Sequence, residues 1–170
     1  MPAEKTQKQE IDKIIREEAC FDLQFRKDTK HNRTYSPTYY RWNIQFVITQ
    51  NEADKNILEK IKNVFGCGKI HLINKRARYS VQNLDEIKSA VIPYFRAHPV
   101  AESKENDFKL WIEAVEIIHK NKRASLSSWN KKELTRLLKI QKDIQEFKKK
   151  PRGSKWLDVA KSMATLPNNN

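Results

Sequence analysis

Between Asn43 and Gly68 the apolar residues change spacing from two to about 3.6, which marks a strand running into a helix. Ile44, Phe46 and Ile48 alternate with Asn43, Gln45 and Val47; then Ile57, Leu58, Ile61, Val64 and Phe65 recur as a helical stripe. Asn51 stands where a helix N-cap is expected, and Gly66 where a left-handed C-cap would close the last turn. Cys20–Asp28 alternates in the same way, with Phe21, Leu23 and Phe25 on one side and Asp22, Gln24 and Arg26 on the other. Tyr39–Thr49 is the next strand. Its core side carries Tyr40, Trp42, Ile44, Phe46 and Ile48, and its other side Arg41, Asn43, Gln45 and Val47.

The remaining pattern fills in around these segments. Residues 1–10 are polar and expected to fray; residues 10–19 favour a helix with Ile11, Ile14 and Ile15 on one side. Thr29–Thr38 reads as a basic hairpin loop, and Lys69–Ile73 with Arg76–Val81 as a second hairpin turning at Asn74-Lys75. A helix over about Asp85–Phe95 buries Leu84, Ile87, Val91, Tyr94 and Phe95, and Pro99 stops it. Residues 103–120 form a helix on Phe108, Trp111, Val115 and Ile118, and residues 130–148 one on Leu134, Leu137, Leu138, Ile144 and Phe147. Beyond a basic linker at 148–155, Trp156, Val159 and Met163 predict a short helix before a disordered end at Pro167–Asn170.

The order helix, two strands, helix, two strands, helix predicts an α+β fold: an αββαββα unit whose four-stranded antiparallel sheet carries helices on one face, with further C-terminal helices. The expected division is a polar tail at 1–10, one domain over 11–147 including the basic C-terminal helix, and a linker, short helix and disordered end at 148–170.

Charge changes the picture from fold to partner. Formal net charge is +13, which points to a polyanion, most simply nucleic acid. The distribution is uneven: residues 1–25 carry four Lys or Arg against six acids, and residues 120–155 thirteen against three. The two cysteines, Cys20 and Cys67, form no CxxC pair, which excludes a disulfide framework and a Cys-rich zinc site. No apolar stretch approaches the roughly 20 residues that span a bilayer, and the N-terminus is unlike a signal peptide. A soluble intracellular protein, in a bacterial cytoplasm or an organelle, is expected, with no membrane partner.

The side of the sheet away from the helices is expected to display Asp22, Gln24, Arg26, Arg41, Asn43, Gln45, His71 and Arg78. Arg, Asn and Gln are the types that make bidentate contacts to guanine and adenine edges, so this face suits reading double-stranded DNA. The four histidines lack metal-ligand spacing, and Trp42 and Trp111 fit a core better than stacking platforms. With three glycines there is little room for a phosphate-binding loop.

The order of elements and several strings resemble one unit of the LAGLIDADG homing endonucleases. The resemblance covers roughly residues 11–145 and rests on Phe46–Gln50, DKNILEKIKNVFGCG at Asp54–Gly68, Arg78–Val81, Ile92–Phe95, and Ser103–Phe108 ahead of Trp111. It implies a helix ending in an acid that leads directly into the first strand, with two such helices packed side by side over the scissile phosphates. Glu18 matches the acid that binds Mg²⁺ or another divalent cation, Gln50 the polar active-site residue after the second strand, and Lys104 the lysine that organises the nucleophilic water or the phosphate. Lys30 and Arg33, with Lys27 and the basic helices, are then expected on DNA phosphates.

Only one such unit occurs here, so duplex cleavage would require a homodimer on a roughly palindromic site. The helix departs from the pattern where family members carry small residues: Lys13 and Glu17 stand at the helix seam, Arg16 at the second acid position and Ala19 in place of glycine. Burying two ions at a seam costs several kcal/mol each unless they pair, within one helix or across the two-fold axis. Two readings follow: an intron-encoded, metal-dependent DNA endonuclease, or a DNA- or RNA-binding protein on the same fold that does not cut, either splicing-assisting or monomerised. A basic ribonucleoprotein or structural factor without sequence preference is a third.

Overall fold

The computed structural model describes residues 2–29, 38–146 and 157–165. Helix α1 (Pro2–Glu18) leads through Ala19 into β1 (Cys20–Thr29), and β2 (Thr38–Asn51) runs through a 3₁₀ turn at Glu52–Asp54 into α2 (Lys55–Phe65). The hairpin β3 (Lys69–Ile73) and β4 (Arg76–Val81) follows, then α3 (Leu84–Glu86), a π turn at Ile87–Val91, and α4 (Ile92–Ala97). A 3₁₀ turn at Glu102–Lys104 starts α5 (Glu105–Lys120); α6 (Lys131–Glu146) and α7 (Leu157–Thr165) complete the described chain. The strands are ordered β1-β2-β4-β3 in one sheet. This is the α+β architecture expected from the sequence.

Local chemistry accounts for the boundaries. The β3–β4 hairpin turns at Asn74-Lys75, both with positive φ, as a two-residue turn matching the strand twist requires. Gly66 closes α2 at φ 71°, its N–H on the Lys62 carbonyl. Gly68, at φ 93°, lies so close to the Tyr79 ring that a Cβ there would clash. Asn83 caps α3 by accepting from the N–H groups of Asp85 and Glu86.

Four expectations change. Helix α1 begins at Pro2 instead of near residue 10, helped by proline in the first turn, Glu4 near the positive helix end, and a Thr6 hydroxyl bonded to the Pro2 carbonyl. Asn51 makes no side-chain cap bond, because a 3₁₀ turn intervenes before α2. Val64 is exposed instead of joining the α2 stripe. The helix expected at Asp85–Phe95 contains the π turn; Pro93 sits just after it and has no N–H to continue the ladder.

The described residues group into two compact units, Met1–Asp22 with Gln45–Lys109 and Leu23–Ile44 with Leu110–Asn170. In the first, β2 pairs β4 with Phe46 opposite Val81, Ile48 opposite Tyr79 and Gln50 opposite Ala77. The buried face so formed meets a cluster of rings: Phe46 lies 5.3 Å from Phe65 of α2 and 5.4 Å from Phe95 of α4, edge to face. Phe21 joins them, 5.5 Å from Phe95 and 5.1 Å from Phe108 of α5.

In the second unit Phe25 stacks on Tyr40 and tilts against Trp42. Buried Trp111, Val115 and Ile118 line α5, and Leu134, Leu137, Ile140 and Ile144 line α6. Glu113 and Arg136 join these two helices by two 2.6 Å hydrogen bonds. Phe147, the 148–155 linker, Trp156 and the Pro167–Asn170 end lie outside the described residues.

Candidate functional site

Within the first unit, the C-terminal end of α1 is fastened to the segment that starts α5. The last helical bond runs from Ala19 N to Ile15 O, after which the chain turns into β1 and leaves carbonyls of the final turn without helical partners. Three groups from residues 99–104 approach this end. Ala101 N–H donates to the Arg16 carbonyl at 3.3 Å, Lys104 Nζ donates to the Ala19 carbonyl at 2.6 Å, and Arg16 Nε returns a bond to the Pro99 carbonyl. One turn earlier, Tyr94 Oη donates to Asp12 Oδ1 at 2.6 Å while its ring stacks on His98. Burial and this bond to a carboxylate push the Tyr94 phenol well above its ordinary pKa, so it stays a donor.

Aromatic packing explains why the two segments meet. Phe21 lies three residues after Glu18, Phe108 four residues after Lys104, and their rings are in contact. The apolar core therefore carries Lys104 to the α1 end, adjacent in sequence to Glu18. Glu18 is exposed, as are Lys13, Arg16 and Glu17. A carboxylate at a helix C-terminus faces the negative end of the macrodipole, an unfavourable position that the Lys104 ammonium offsets. Gln50 is half-buried at the end of β2 and is not brought into hydrogen-bond contact with Glu18 among the described residues.

No group of three or more His, Cys, Asp or Glu able to hold a metal occurs among the described residues. A magnesium ion commonly takes one or two protein carboxylates and completes its shell with water and substrate phosphates. Exposed Glu18 fits a site of that kind, in which a single carboxylate holds the ion and water and phosphate oxygens complete its shell.

The residues expected to read DNA are placed unevenly. In the first unit, β3–β4 pairing sets His71 opposite Arg78, and β2–β4 pairing sets Arg78 opposite Thr49. His71 is exposed and Arg78 half-buried. Asp22 and Gln45 were expected on a displayed face but are buried, Gln45 completely, because Gln45 Nε2 donates to Asp22 Oδ2 at 2.8 Å. Gln82 Nε2 then donates to Gln45 Oε1 at 3.2 Å.

In the second unit Arg41 and Arg26 are exposed, Asn43 is buried, and half-buried Gln24 accepts two bonds from Arg26 through its Oε1, at 2.8 and 2.6 Å. Lys30 and Arg33 lie outside the described residues. Neither Gln82 nor Thr49 is singled out from the sequence, and the bond from Arg16 to the Pro99 carbonyl is not foreseen there. Gln82 was detectable, since it continues the alternation of Arg78 and Ser80 one step past the strand.

Cys20 and Cys67 are free thiols. Burial raises the Cys67 pKa, the opposite of what a nucleophile needs. No helix among the described residues is long and apolar enough to cross a membrane.

Comparison with known proteins identifies the family and the fold. The family model described as LAGLIDADG endonuclease matches residues 17–115. A probable intron-encoded endonuclease 3 of Neurospora crassa is 29% identical over 86 residues, covering 49% of this chain and 16% of that protein. A probable intron-encoded DNA endonuclease 1 of Mycosarcoma maydis is 28% identical over 80 residues, covering 46% of this chain and 30% of that protein. The chain thus spans less than a third of the length of these curated relatives. Among solved structures, the homing endonuclease I-TnaI superposes with a TM-score of 0.67 at 18% identity over 91% of this chain and 93% of that one. The meganuclease I-AabMI, solved bound to uncleaved DNA, gives a TM-score of 0.67 at 23% identity over 94% of this chain and 50% of that one. At these identities the structures establish a shared fold.

Proposed function

The chain belongs to the LAGLIDADG endonuclease family, and we propose that it is a homing-type, site-specific endonuclease of double-stranded DNA. It hydrolyses phosphodiester bonds with Mg²⁺ or another divalent cation and reads its target through the polar residues of its sheet. One observation carries this reading: the Lys104 ammonium lies on the Ala19 carbonyl, next in sequence to the Glu18 carboxylate. An acid and a cation at one helix end are parts that metal-assisted phosphodiester hydrolysis needs.

Glu18 would hold the ion, which when bound supplies Lewis-acid polarisation of a phosphoryl oxygen. Lys104 braces the α1 end and sets a positive charge beside the phosphate. Gln50 orients the attacking water from the end of β2. Arg41, Arg78, His71, Gln24 and Arg26 remain candidates for base and phosphate contacts and Lys30 and Arg33 for phosphate contacts, whereas Asn43, Asp22 and Gln45 are buried. The described residues bring one such acid, so a second would come from another unit of this kind, and a second copy of this chain on a roughly palindromic site would supply it.

A second reading, a DNA- or RNA-binding protein that does not cut, is favoured by exposed Lys13 and Glu17 on α1, where close helix contact calls for small residues. A plasmid-library cleavage selection with Mg²⁺, run beside a measurement of the mass of the protein–DNA complex, separates the two. The endonuclease reading expects one family of cleaved sites and two chains per site. Selective binding by one chain without cleavage would establish the second reading in its place.

A further inference from the structure

Asp22, Gln45 and Gln82 form a line of side-chain hydrogen bonds within the first unit, and its polarity is forced by its buried end. Gln45 Nε2 donates to Asp22 Oδ2 at 2.8 Å, and Gln82 Nε2 donates to Gln45 Oε1 at 3.2 Å. A carboxylate only accepts. Gln45 must therefore turn its amide nitrogen to Asp22 and its oxygen to Gln82. Gln82 must then give one N–H to Gln45, which leaves its own oxygen and its second N–H outside this line of bonds. Asp22 and Gln45 are buried, whereas Gln82 is exposed. A buried carboxylate thus decides which way round an exposed amide is presented.

We propose that Gln82 is a specificity-determining residue selecting adenine in the DNA major groove, and that Asp22, acting through Gln45, is the positioning residue that enforces this choice. The inference rests on the DNA-binding reading above. In the major groove adenine offers an acceptor, N7, beside a donor, the N6 amino group, and guanine offers two acceptors, N7 and O6. An amide with one N–H and its oxygen available matches adenine and sets oxygen against oxygen at guanine. The reverse polarity, with the Gln82 oxygen engaged and both N–H groups available, would match guanine instead. Asp22 excludes that arrangement, because it cannot donate to Gln45.

Replacing Asp22 by asparagine supplies a donor and allows both polarities. The same replacement leaves the backbone alternation of Gln82 with Arg78 and Ser80 unchanged.

The test is a binding selection from a randomised duplex library with the full chain and no divalent metal, so that cleavage does not enter. The wild-type chain is expected to enrich adenine over guanine about 10-fold at one position, the discrimination of a good bidentate contact. Gln82→Ala should lose that preference and keep those at other positions. Asp22→Asn should admit guanine at the same position, and Gln45→Met, which cuts the line without changing volume greatly, should relax it there too. Gln82 is an exposed side chain, so its variant keeps the test decisive if a buried substitution fails to fold. An unchanged preference at every position in Gln82→Ala would overturn the inference while leaving DNA reading intact. So would a folded Asp22→Asn or Gln45→Met that alters a different position. A wild-type chain that enriches nothing would overturn the DNA-binding reading and this inference with it.

Discussion

At the end of α1 side chains bind backbone carbonyls, Lys104 on Ala19 and Arg16 on Pro99, whereas between α5 and α6 side chains bind each other, Arg136 on Glu113 and Lys120 on Glu133. A carbonyl does not titrate, and its place is set by the helix that carries it. Fasteners on carbonyls therefore hold one geometry across the working pH range. Ion pairs between half-exposed side chains respond to pH and salt. The first arrangement would suit a corner that aims a carboxylate, as proposed for Glu18; the second suits a joint between two helices that needs only to stay closed.

The sharpest break of this comparison is at Glu18 itself. Glu18→Gln keeps the size and the hydrogen-bonding of an exposed side chain, so folding and DNA affinity are expected to stay near wild type. Metal-dependent cleavage is expected to vanish. Parallel measurement of binding by gel shift and cutting of a selected target checks both, and undiminished cutting would remove Glu18 from the site.

Next in size is the core under the corner. Phe21 is buried and touches Phe46, Phe95 and Phe108. Phe21→Ala is expected to cost about 3–5 kcal/mol, the usual range for deleting a buried ring. Chemical denaturation should show the loss, and it should be nearly independent of salt. A loss that grows or shrinks strongly with salt would mean that ion pairs, and not rings, hold the first unit.

A third step separates position from stability. Lys104→Met removes the ammonium and keeps most of the apolar stem. The melting temperature should move modestly, since a hydrogen bond from a charged group contributes about 1.5–3 kcal/mol net. Cleavage should fall about 100-fold, the scale expected when a catalytic group loses its placement. A large melting shift with normal cleavage would assign Lys104 to structure alone.

The two regions were unequally legible in the sequence. Strand alternation revealed β1, β2 and the β3–β4 hairpin to within a few residues, because a buried face imposes a period of two and the Asn74-Lys75 turn leaves only one register. Residues 46–68 and 103–111 carried the family likeness, and within them Phe46, Ile48, Leu58, Ile61, Phe65, Phe108 and Trp111 are core positions. What alternation could not reveal is pairing among polar groups. Asp22 and Gln45 read as displayed because they alternate with Phe21 and Phe46, yet a hydrogen bond joins them and both are buried. The turns of helix α1 before residue 10 are not legible in the sequence because they are exposed and have no apolar stripe. The Lys104–Ala19 bond was also invisible, since its acceptor is backbone and has no residue type to recognise.

The smallest expected effect lies at the α5–α6 joint and tests the other half of the comparison. The Arg136 guanidinium holds the Glu113 carboxyl below its ordinary pKa, and Lys120 with Asn121 does the same for Glu133. A carboxylate lowered by a partner in the folded state contributes stability at pH above its unfolded value and loses it as pH falls through the folded one. The contribution should therefore be complete at neutral pH and begin to decline as the pH drops below about 5, near the usual carboxylate range. With both members of the Glu113–Arg136 pair partly exposed, at 43% and 36%, solvent screening limits it to at most about 1 kcal/mol. Glu113→Gln should lower the midpoint of urea unfolding slightly at pH 7 and leave it nearly unchanged at pH 3, so the variant and wild-type curves converge in acid. The Lys104→Met difference should show no such convergence, because its acceptor is a carbonyl. Parallel curves for Glu113→Gln from pH 7 to pH 3 would show that the joint, like the corner, is held by something that does not titrate.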